Sequence, residues 1–556
     1  MSRILGIILV CLIIMPAVCY GEDFREARLD RGISNSEAYS YLLIEKSREN
    51  KPEAIRLLKE ALEDSPDLPA VYFELAKASF SFSSFGIFEF IDYSVQGASA
   101  YLRNFWSSFT LAGSLLFSLV ISFVAATGIT IALRFFTDIR LFVHDLRETK
   151  SSLLMLVMLI ILSLISPFLL LAGMLILLGN YMKKLDRGVV YLFLIFLVFS
   201  PLLFRATSLF VQTLSSPAMK AVVEVNESKG NTYALTTLKN RDDYASLFSY
   251  ALALKRERYY NEAIAIYQKL LLRKSDPAVY VDLGNCYVGL GNMDEAMTSY
   301  LKAAEIRPLA SAYYNLSQIS REMLDYAKGN DYFNQALKID RDAVSSYRLR
   351  HSRSPNRIVV DETLSFAGLW NLAMTNTSKT STFGMTVLPP MFISAIAFML
   401  IILYAFLNKL LPVRAYRCER CSAILCQRCE KRLNWGQMCP ACYASIVKLD
   451  ELEVKERVAR LLSIYEHQKK RRDVMRLFSF LLPGSSHIYA GKVFSGFLSL
   501  FPFLFFLFLP VTNTICAGAG LFFAHRFFTW AAIFIVAVIY IISNILTRQR
   551  ITKGWL

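Results

Sequence analysis

The sequence predicts an all-α protein: a polytopic helical membrane chain carrying helical-repeat domains and one small metal-binding module. Three observations lead there. Apolar runs almost free of charge recur along the 556 residues, long enough for membrane helices. Between them, one pattern of small and large residues returns at helical spacing. Three Cys-x-x-Cys pairs then crowd together: Cys418/Cys421, Cys426/Cys429 and Cys439/Cys442.

Composition narrows the class. A hydrophobic fraction of 54% and a mean hydropathy of +0.39 are too apolar for an ordinary soluble chain. A formal charge of +16 first suggests nucleic acid. Lys and Arg gather beside the apolar runs, however, as cytosolic retention of positive loops requires. No nucleic-acid partner is therefore expected. Cys11, Cys19, Cys286 and Cys516 are scattered outside the cluster, so no disulfide framework is expected.

Residues 1–20 open with Arg3, continue through an apolar core and reach small residues at Ala17 and Cys19. That is the pattern of a signal peptide, with an uncleaved anchor as the alternative. Either sends the following segment outside. Residues 21–102 acquire a helical period from Ser36 to Phe80, with Ala54, Leu58, Ala61 and Pro66 in small, large, small and terminating positions. This resembles a tetratricopeptide (TPR) repeat followed by half of another. Beyond Phe80 the register fades into aromatic, Ser-rich sequence. Tyr101, Phe105 and Trp106 there read as an interfacial aromatic belt.

Residues 103–214 form the main membrane block. Residues 111–135 suffice for one span, and Arg134, Arg140, Arg147 and Lys150 mark a cytosolic loop. Residues 153–178 are apolar but broken at Pro167; Lys183, Lys184 and Arg187 follow, and 189–204 read as another span. If 153–178 cross once, one basic loop and the cysteine cluster lie outside. If they fold back at Ser166-Pro167 as a re-entrant hairpin, both basic loops and the cluster are cytosolic. Thiolates survive as ligands where thiols stay reduced, so two signals agree on the hairpin. Its half-helices need cover from neighbouring protein.

Residues 215–385 are the soluble centre. The clearest copy has Tyr280, Leu283, Gly284 and Tyr287, then Gly291, Ala296, Tyr300, Ala303 and Pro308. It resembles the TPR pattern position by position. Ala251, Tyr260, Ala263, Tyr267 and Pro277 precede it; Tyr313, Leu316, Tyr326, Phe333 and Ala336 repeat the scheme after it. This third copy has Ser317 and Gly329 at small positions, and Arg341 where the proline should close it. Small residues let antiparallel helices approach, aromatics fill the gap between successive pairs, and prolines end the second helix. The resemblance implies a concave groove for a protein or peptide partner, with Asn285 and Asn315 as candidates facing it. Residues 347–382 turn basic and then Ser/Thr-rich, a linker or poorly ordered tail, with a glycosylation-type triplet at Asn376.

Residues 386–411 read as a transmembrane helix entering from outside, ending near Lys409 and Arg414. Residues 412–447 are a zinc-ribbon-like module. Zinc takes four soft ligands in a tetrahedron. Cys418/Cys421 with Cys439/Cys442 leave an intervening length suited to a ribbon. Cys426/Cys429 are then spare or replace an outer pair; a two-metal cluster using all six is a further option. No open position beside a Glu or His base is apparent, so the metal is expected to be structural. Thiol redox exchange is the rival.

Residues 448–477 read as a basic amphipathic helix with Val454, Val458, Leu461, Leu462 and Tyr465 on one face, beside Lys455, Arg457, Lys469, Lys470, Arg471 and Arg472. It either lies on anionic lipid or connects domains in solvent. In 478–556, Pro483-Gly484, Tyr489 and Gly491 resemble the opening turn of a TM2-type domain, a pair of membrane helices. Ser486 stands where that family has its second glycine. Spans near 497–511 and 530–546 follow, and Arg548, Arg550 and Lys553 hold the tail inside. Ser485, Ser486 and His487 lack an acid partner for a relay.

No phosphate loop, dinucleotide fingerprint, nucleophile elbow or His-Glu-x-x-His pair occurs in the sequence, and no enzyme is expected. The expected function is a TPR scaffold for protein–protein interactions at a bacterial-type inner (plasma) membrane, multi-pass and in contact with lipid. The repeats are expected outside the cytosol, the zinc module and C-terminus inside it. A transmembrane signalling receptor and a transporter or channel component are the alternatives.

Overall fold

The computed structural model describes residues 25–148, 150–353, 358–375, 389–410, 415–418, 420–426, 438–446, 454–517 and 526–553. The signal segment with Cys11 and Cys19, the Asn376 triplet, Arg414 and Cys429 lie outside them. The described residues are helical almost throughout; their one sheet is a two-stranded hairpin. The chain divides into two compact units, Met1–Phe109 with Val211–Thr377, and Thr110–Phe210 with Ser378–Leu556.

In the first unit, Glu37–Glu49 pairs with Ala54–Asp64, and Pro69–Ser79 with Ser84–Ala100. Leu58 and Ala61 are buried between helices. The fading register past Phe80 is corrected here: a second helix completes the second pair. Ser83 caps its start, accepting from the Gly86 amide at 3.1 Å. Gly97 lets it approach the Phe73 ring; a Cβ there would lie 3.1 Å away. Periodicity hid the helix because its outer face is apolar too, with Phe85, Phe88, Ile91 and Val95 exposed. Tyr101 and Phe105 are buried in protein, and Phe105 packs on Trp370, so neither belongs to an interfacial belt.

Three further helix pairs follow: Tyr244–Arg256 with Tyr260–Arg273, Pro277–Gly289 with Met293–Ile306, and Ala310–Glu322 with Tyr326–Ile339. A Cβ at Gly284 would meet the Tyr300 ring at 2.5 Å, which is why a glycine stands at this crossing. Ala296, Tyr300 and Ala303 are fully buried. Gly291 turns the chain between the two helices at φ +81. In the third pair, Asp340 does what a closing proline would. It ends one helix and caps the next, Arg341–Arg353, accepting from the Ala343 amide at 2.8 Å.

The second unit opens with one 44-residue helix, Phe105–Glu148, whose first residues belong to the repeat unit. At ~1.5 Å per residue it is roughly 66 Å long, about twice a bilayer's hydrocarbon core. The basic stretch expected as a loop is therefore helix. Arg134 pairs with Asp138 one turn on, and its guanidinium donates to the Ile488 carbonyl at 3.3 Å. Lys150–Ile165 and Pro167–Gly179 fold back on each other at Ser166, bringing Gly173 beside Leu159 and Leu162. The expected span over 189–204 falls on two helices, Gly188–Val198 and Ser200–Ser215, bent by 57°, a broken span or a re-entrant loop. Pro201 lacks the N–H that would carry the helix through the bend.

Three described helices are long and apolar enough to cross a membrane: Phe105–Leu146, Val493–Cys516 and Thr529–Thr552; the bent pair makes up to four. Pro390–Phe406 is a shorter apolar helix, packed through Tyr404 on Tyr191. Polar contacts join Phe105–Glu148 to Val493–Ala517: Ser118 donates to the Phe505 carbonyl at 2.6 Å and Thr512 to the Ser114 carbonyl at 3.0 Å. Gly484, at φ +80, sits so close to the next helix that a Cβ would lie 2.2 Å from the Gly496 carbonyl oxygen.

Candidate functional site

Among the described residues, two places bring chemistry-bearing side chains together. The first lies in the repeat groove, across the first helices of successive pairs. These elements align Asn226, Lys255 with Arg256, Asp282 with Asn285, and Ser311 with Asn315, all buried. They hold residues 358–365, which cross the groove outside helix and strand, with a bend at Val359. Asn315 accepts from the Val360 amide at 2.8 Å and returns a bond to the Val360 carbonyl at 2.9 Å. Asn285 donates to that carbonyl at 2.9 Å. Asp282 accepts from the Glu362 amide at 3.0 Å and Asn226 from the Leu364 amide at 2.7 Å.

The bonded amides fall on alternate residues, so the groove reads one edge of an extended backbone. Side chains between them supply charge. Asp361 lies buried against Lys255 and Arg256, with the Arg256 Nε 3.2 Å away. Ser311 donates to Glu362. Burial pushes the Asp282 carboxyl up to about 8; Lys255 pulls against that shift and Asp361 adds to it. Asn285 is fixed from behind by the Tyr300 hydroxyl, which donates to its Oδ1 at 2.6 Å. The TPR-core tyrosine thus also orients a groove side chain. Tyr280 and Tyr287 pack around the same core, which includes Ala296 and Ala303; Leu283 is buried on the first helix, and Pro308 lies in the break between Met293–Ile306 and Ala310–Glu322.

This corrects the reading of residues 347–382 as a linker. Residues 358–365 are bound, and Phe366–Thr375 is a helix whose Trp370 packs on Phe105 and Phe109 at ring separations of 5.9 and 5.1 Å. Sequence periodicity could not find the strap, because its partners are side-chain amides and carboxylates from four separate helices. A cavity of about 470 Å³ runs beside it, lined by Asn35, Arg256, Tyr314, Val359, Asp361 and Leu369 among others.

The second place is the cysteine module. Tyr416–Arg417 and Ile424–Leu425 pair antiparallel, Tyr416 opposite Leu425, and the turn between them presents Cys418 and Cys421. Ser422 takes φ +60 there. The helix Pro440–Ile446 brings Cys439 and Cys442 to the same point. All four sulfurs lie within 4.8 Å of one another, and Cys421 and Cys439 are 3.6 Å apart. Zn–S bonds of about 2.3 Å in a tetrahedron put sulfurs ~3.8 Å apart, so the donor set fits zinc. Cys426 is buried but stands outside the four.

Burial pushes the Cys418 thiol up, but amides of Cys421, Cys439 and Arg420 outweigh it and settle it at about 7. Burial raises Cys421 and Cys442, and neighbouring sulfurs add to the rise at Cys442. Four thiolates this close repel, and a bound dication removes the conflict. The basic helix Val454–Leu481 packs on the module through Ile464, and His467 lies 3.2 Å from the Ser422 hydroxyl.

Ser485 and Ser486 spend their hydroxyls on backbone: Ser485 donates to the Phe478 and Leu482 carbonyls at 2.6 Å, and Ser486 to that of Met475 at 2.5 Å. His487 is buried, with Arg550 at 3.1 Å. Ser486 thus ties the short helix Ser485–Tyr489 to the helix Val454–Leu481.

The stacked antiparallel pairs define a helical-repeat protein whose groove side chains lie on the first helix of each pair. Residues 277–308 and 310–342 match the tetratricopeptide repeat family. Over 139 residues the chain is 30% identical to "Mitochondrial import receptor subunit TOM70" of Saccharomyces cerevisiae, in strains YJM789 and ATCC 204508 / S288c alike. The similarity covers 22% of this chain and 22% of that protein's length.

Proposed function

We propose that this protein is a membrane-anchored TPR scaffold that gathers protein partners at the inner (plasma) membrane. The carrying observation is a repeat groove whose buried polar side chains hold an extended peptide edge-on, the arrangement suited to peptide recognition. TPR repeats and the similarity to an import receptor subunit support protein binding. In this reading Cys418, Cys421, Cys439 and Cys442 hold a structural zinc ion in the cytosol. The repeats face the opposite compartment, and the folded-back pair at Ser166 is re-entrant. Exposed Val454, Val458 and Leu462 beside Lys455 and Lys469 support lipid contact by the basic helix.

The test is labelling of single cysteines introduced at Lys328 and Lys469, both exposed, with an impermeant reagent on intact cells. Label at 328 alone is expected. Label at 469 alone inverts the topology, and the proposed division of roles fails with it.

A second reading, a transmembrane receptor, is favoured by one observation. The strap continues into the helix bearing Trp370, which packs on Phe105 and Phe109 at the start of the longest apolar helix. Occupancy of the groove would then be felt where that helix begins.

A further inference from the structure

The groove is filled by the protein's own chain, and the filling is polar and specific. Along 358–365, the amides of Val360, Glu362 and Leu364 and the carbonyl of Val360 all meet side chains of the repeats. The Asp361 carboxylate meets two cations, Lys255 and Arg256. Arg256 is itself pinned by the Val225 carbonyl at 2.7 Å and the Ser228 hydroxyl at 3.3 Å. Arg256 is thus held by the repeats as well as by the strap, and Lys255 also lies 3.8 Å from Asp282 of the repeats.

A structural tie between helices would need only burial. This one instead satisfies backbone groups in register and places one acid on a prepared pair of cations. We propose that residues 358–365 are an internal ligand of the TPR groove. The partner that exchanges with them is an extended acidic peptide that sets an Asp on Lys255 and Arg256 and its backbone on Asn226, Asp282, Asn285 and Asn315. This rests on the scaffold reading and deepens it, by naming the partner's chemistry and the step that gates it.

A ligand held in cis lowers the apparent affinity of a competing peptide by the fraction of time the groove stands open. Weakening the strap, with the groove intact, therefore raises affinity for the same peptide offered in trans. Loss of Asp361 from the chain does that, since the subsite's cations remain.

The experiment uses the full-length protein in detergent and a fluorescent synthetic peptide of residues 357–366. Its control is the same peptide with Lys at the position of Asp361. Wild-type protein is expected to bind the acidic peptide weakly, and Asp361→Asn protein at least ~10-fold more tightly. The Lys peptide should bind neither, and adding Lys255→Ala to Asp361→Asn should abolish the gain. Hydrogen exchange on wild-type protein gives a readout without mutation: at saturating peptide, the amides of Val360, Glu362 and Leu364 lose protection. Equal affinity for both proteins, or strap amides unchanged at saturation, overturns the proposal and leaves the strap a structural tie. Exchange with the peptide alongside failure of the full chain to capture any partner protein would instead sink the scaffold reading alone.

Discussion

Replacing Gly284 with Ala sets two opposed effects against each other at one atom. In an open helix, Gly→Ala stabilises by about 1 kcal/mol through backbone entropy. Here the new Cβ falls 2.5 Å from Tyr300 Cε1 and 2.9 Å from Cδ1 and Cζ. Ordinary contact requires about 1 Å more. The ring is fully buried, and its hydroxyl is held by Asn285 Oδ1 at 2.6 Å, so it cannot swing clear without loosening that bond. Overpacking costs about 1–3 kcal/mol, and disturbing the hydrogen bond about 1 more. The net expectation is destabilisation by roughly 1–3 kcal/mol, a 5- to 150-fold loss of protection at ~1.4 kcal/mol per tenfold. Hydrogen exchange over Pro277–Gly289 and Met293–Ile306 in the full-length protein reads it locally, which matters because a chain of two units need not unfold in one step. Gly230→Ala is the control, since no atom lies within 4 Å of its Cβ position. Equal or greater protection in Gly284→Ala would refute the claim that close approach, rather than backbone freedom, selects glycine here.

Gly484→Ala should cost more than about 2 kcal/mol, because a left-handed φ and a carbonyl oxygen 2.2 Å from the new Cβ act together; thermal unfolding in detergent should show it, with Gly128→Ala, mid-helix and open at its Cβ position, no less stable than the parent. Cys418→Ser should reduce tightly held zinc from about one ion per chain to near none, with Cys426→Ser retaining it; equal loss in both, by elemental analysis, would put Cys426 among the ligands. Strap docking should weaken with rising pH. Asp282 sits at about 8 in the closed groove, raised by burial and further by the strap's own Asp361, so the closed form holds its proton more firmly than a groove that Asp361 has left. This group's contribution to docking is then present below about pH 8 and is lost as pH climbs through that value. Lys255, Asp361, Glu362 and Tyr267 face the same carboxyl, and half-buried Glu362, also raised, acts in the same direction. Exchange at the Glu362 amide, corrected for intrinsic rate, should be faster at pH 9 than at pH 6; the reverse order would contradict the sign.

The repeat register was legible because its determinants are local. Small residues at Ala296 and Ala303 and a ring at Tyr300 recur at helical spacing, and each position's demand can be stated from its own helix. Cysteine spacing likewise announced the four sulfurs now found within 4.8 Å, because a Cys-x-x-Cys turn is itself a local structure. Where both faces of a helix are apolar, as at Phe85 and Phe88, no period remained to read and Ser84–Ala100 went unseen. The basic stretch after Phe135 misled in another way. Charge marks which side of a membrane a segment occupies, but it does not stop a helix whose Arg134 and Asp138 pair one turn apart.

By itself, then, the amino-acid order determined what short-range spacing can encode: apolar helices, stacked helix pairs and a four-sulfur knuckle. Only the tertiary structure decided what fills the groove. Asn226, Lys255, Asp282, Asn285 and Asn315 are scattered over four helices, and Asp361 lies far along the chain from most of them. Their partnership has no period or motif, because a hydrogen bond between a side-chain amide and a distant backbone depends on where helices are placed in space.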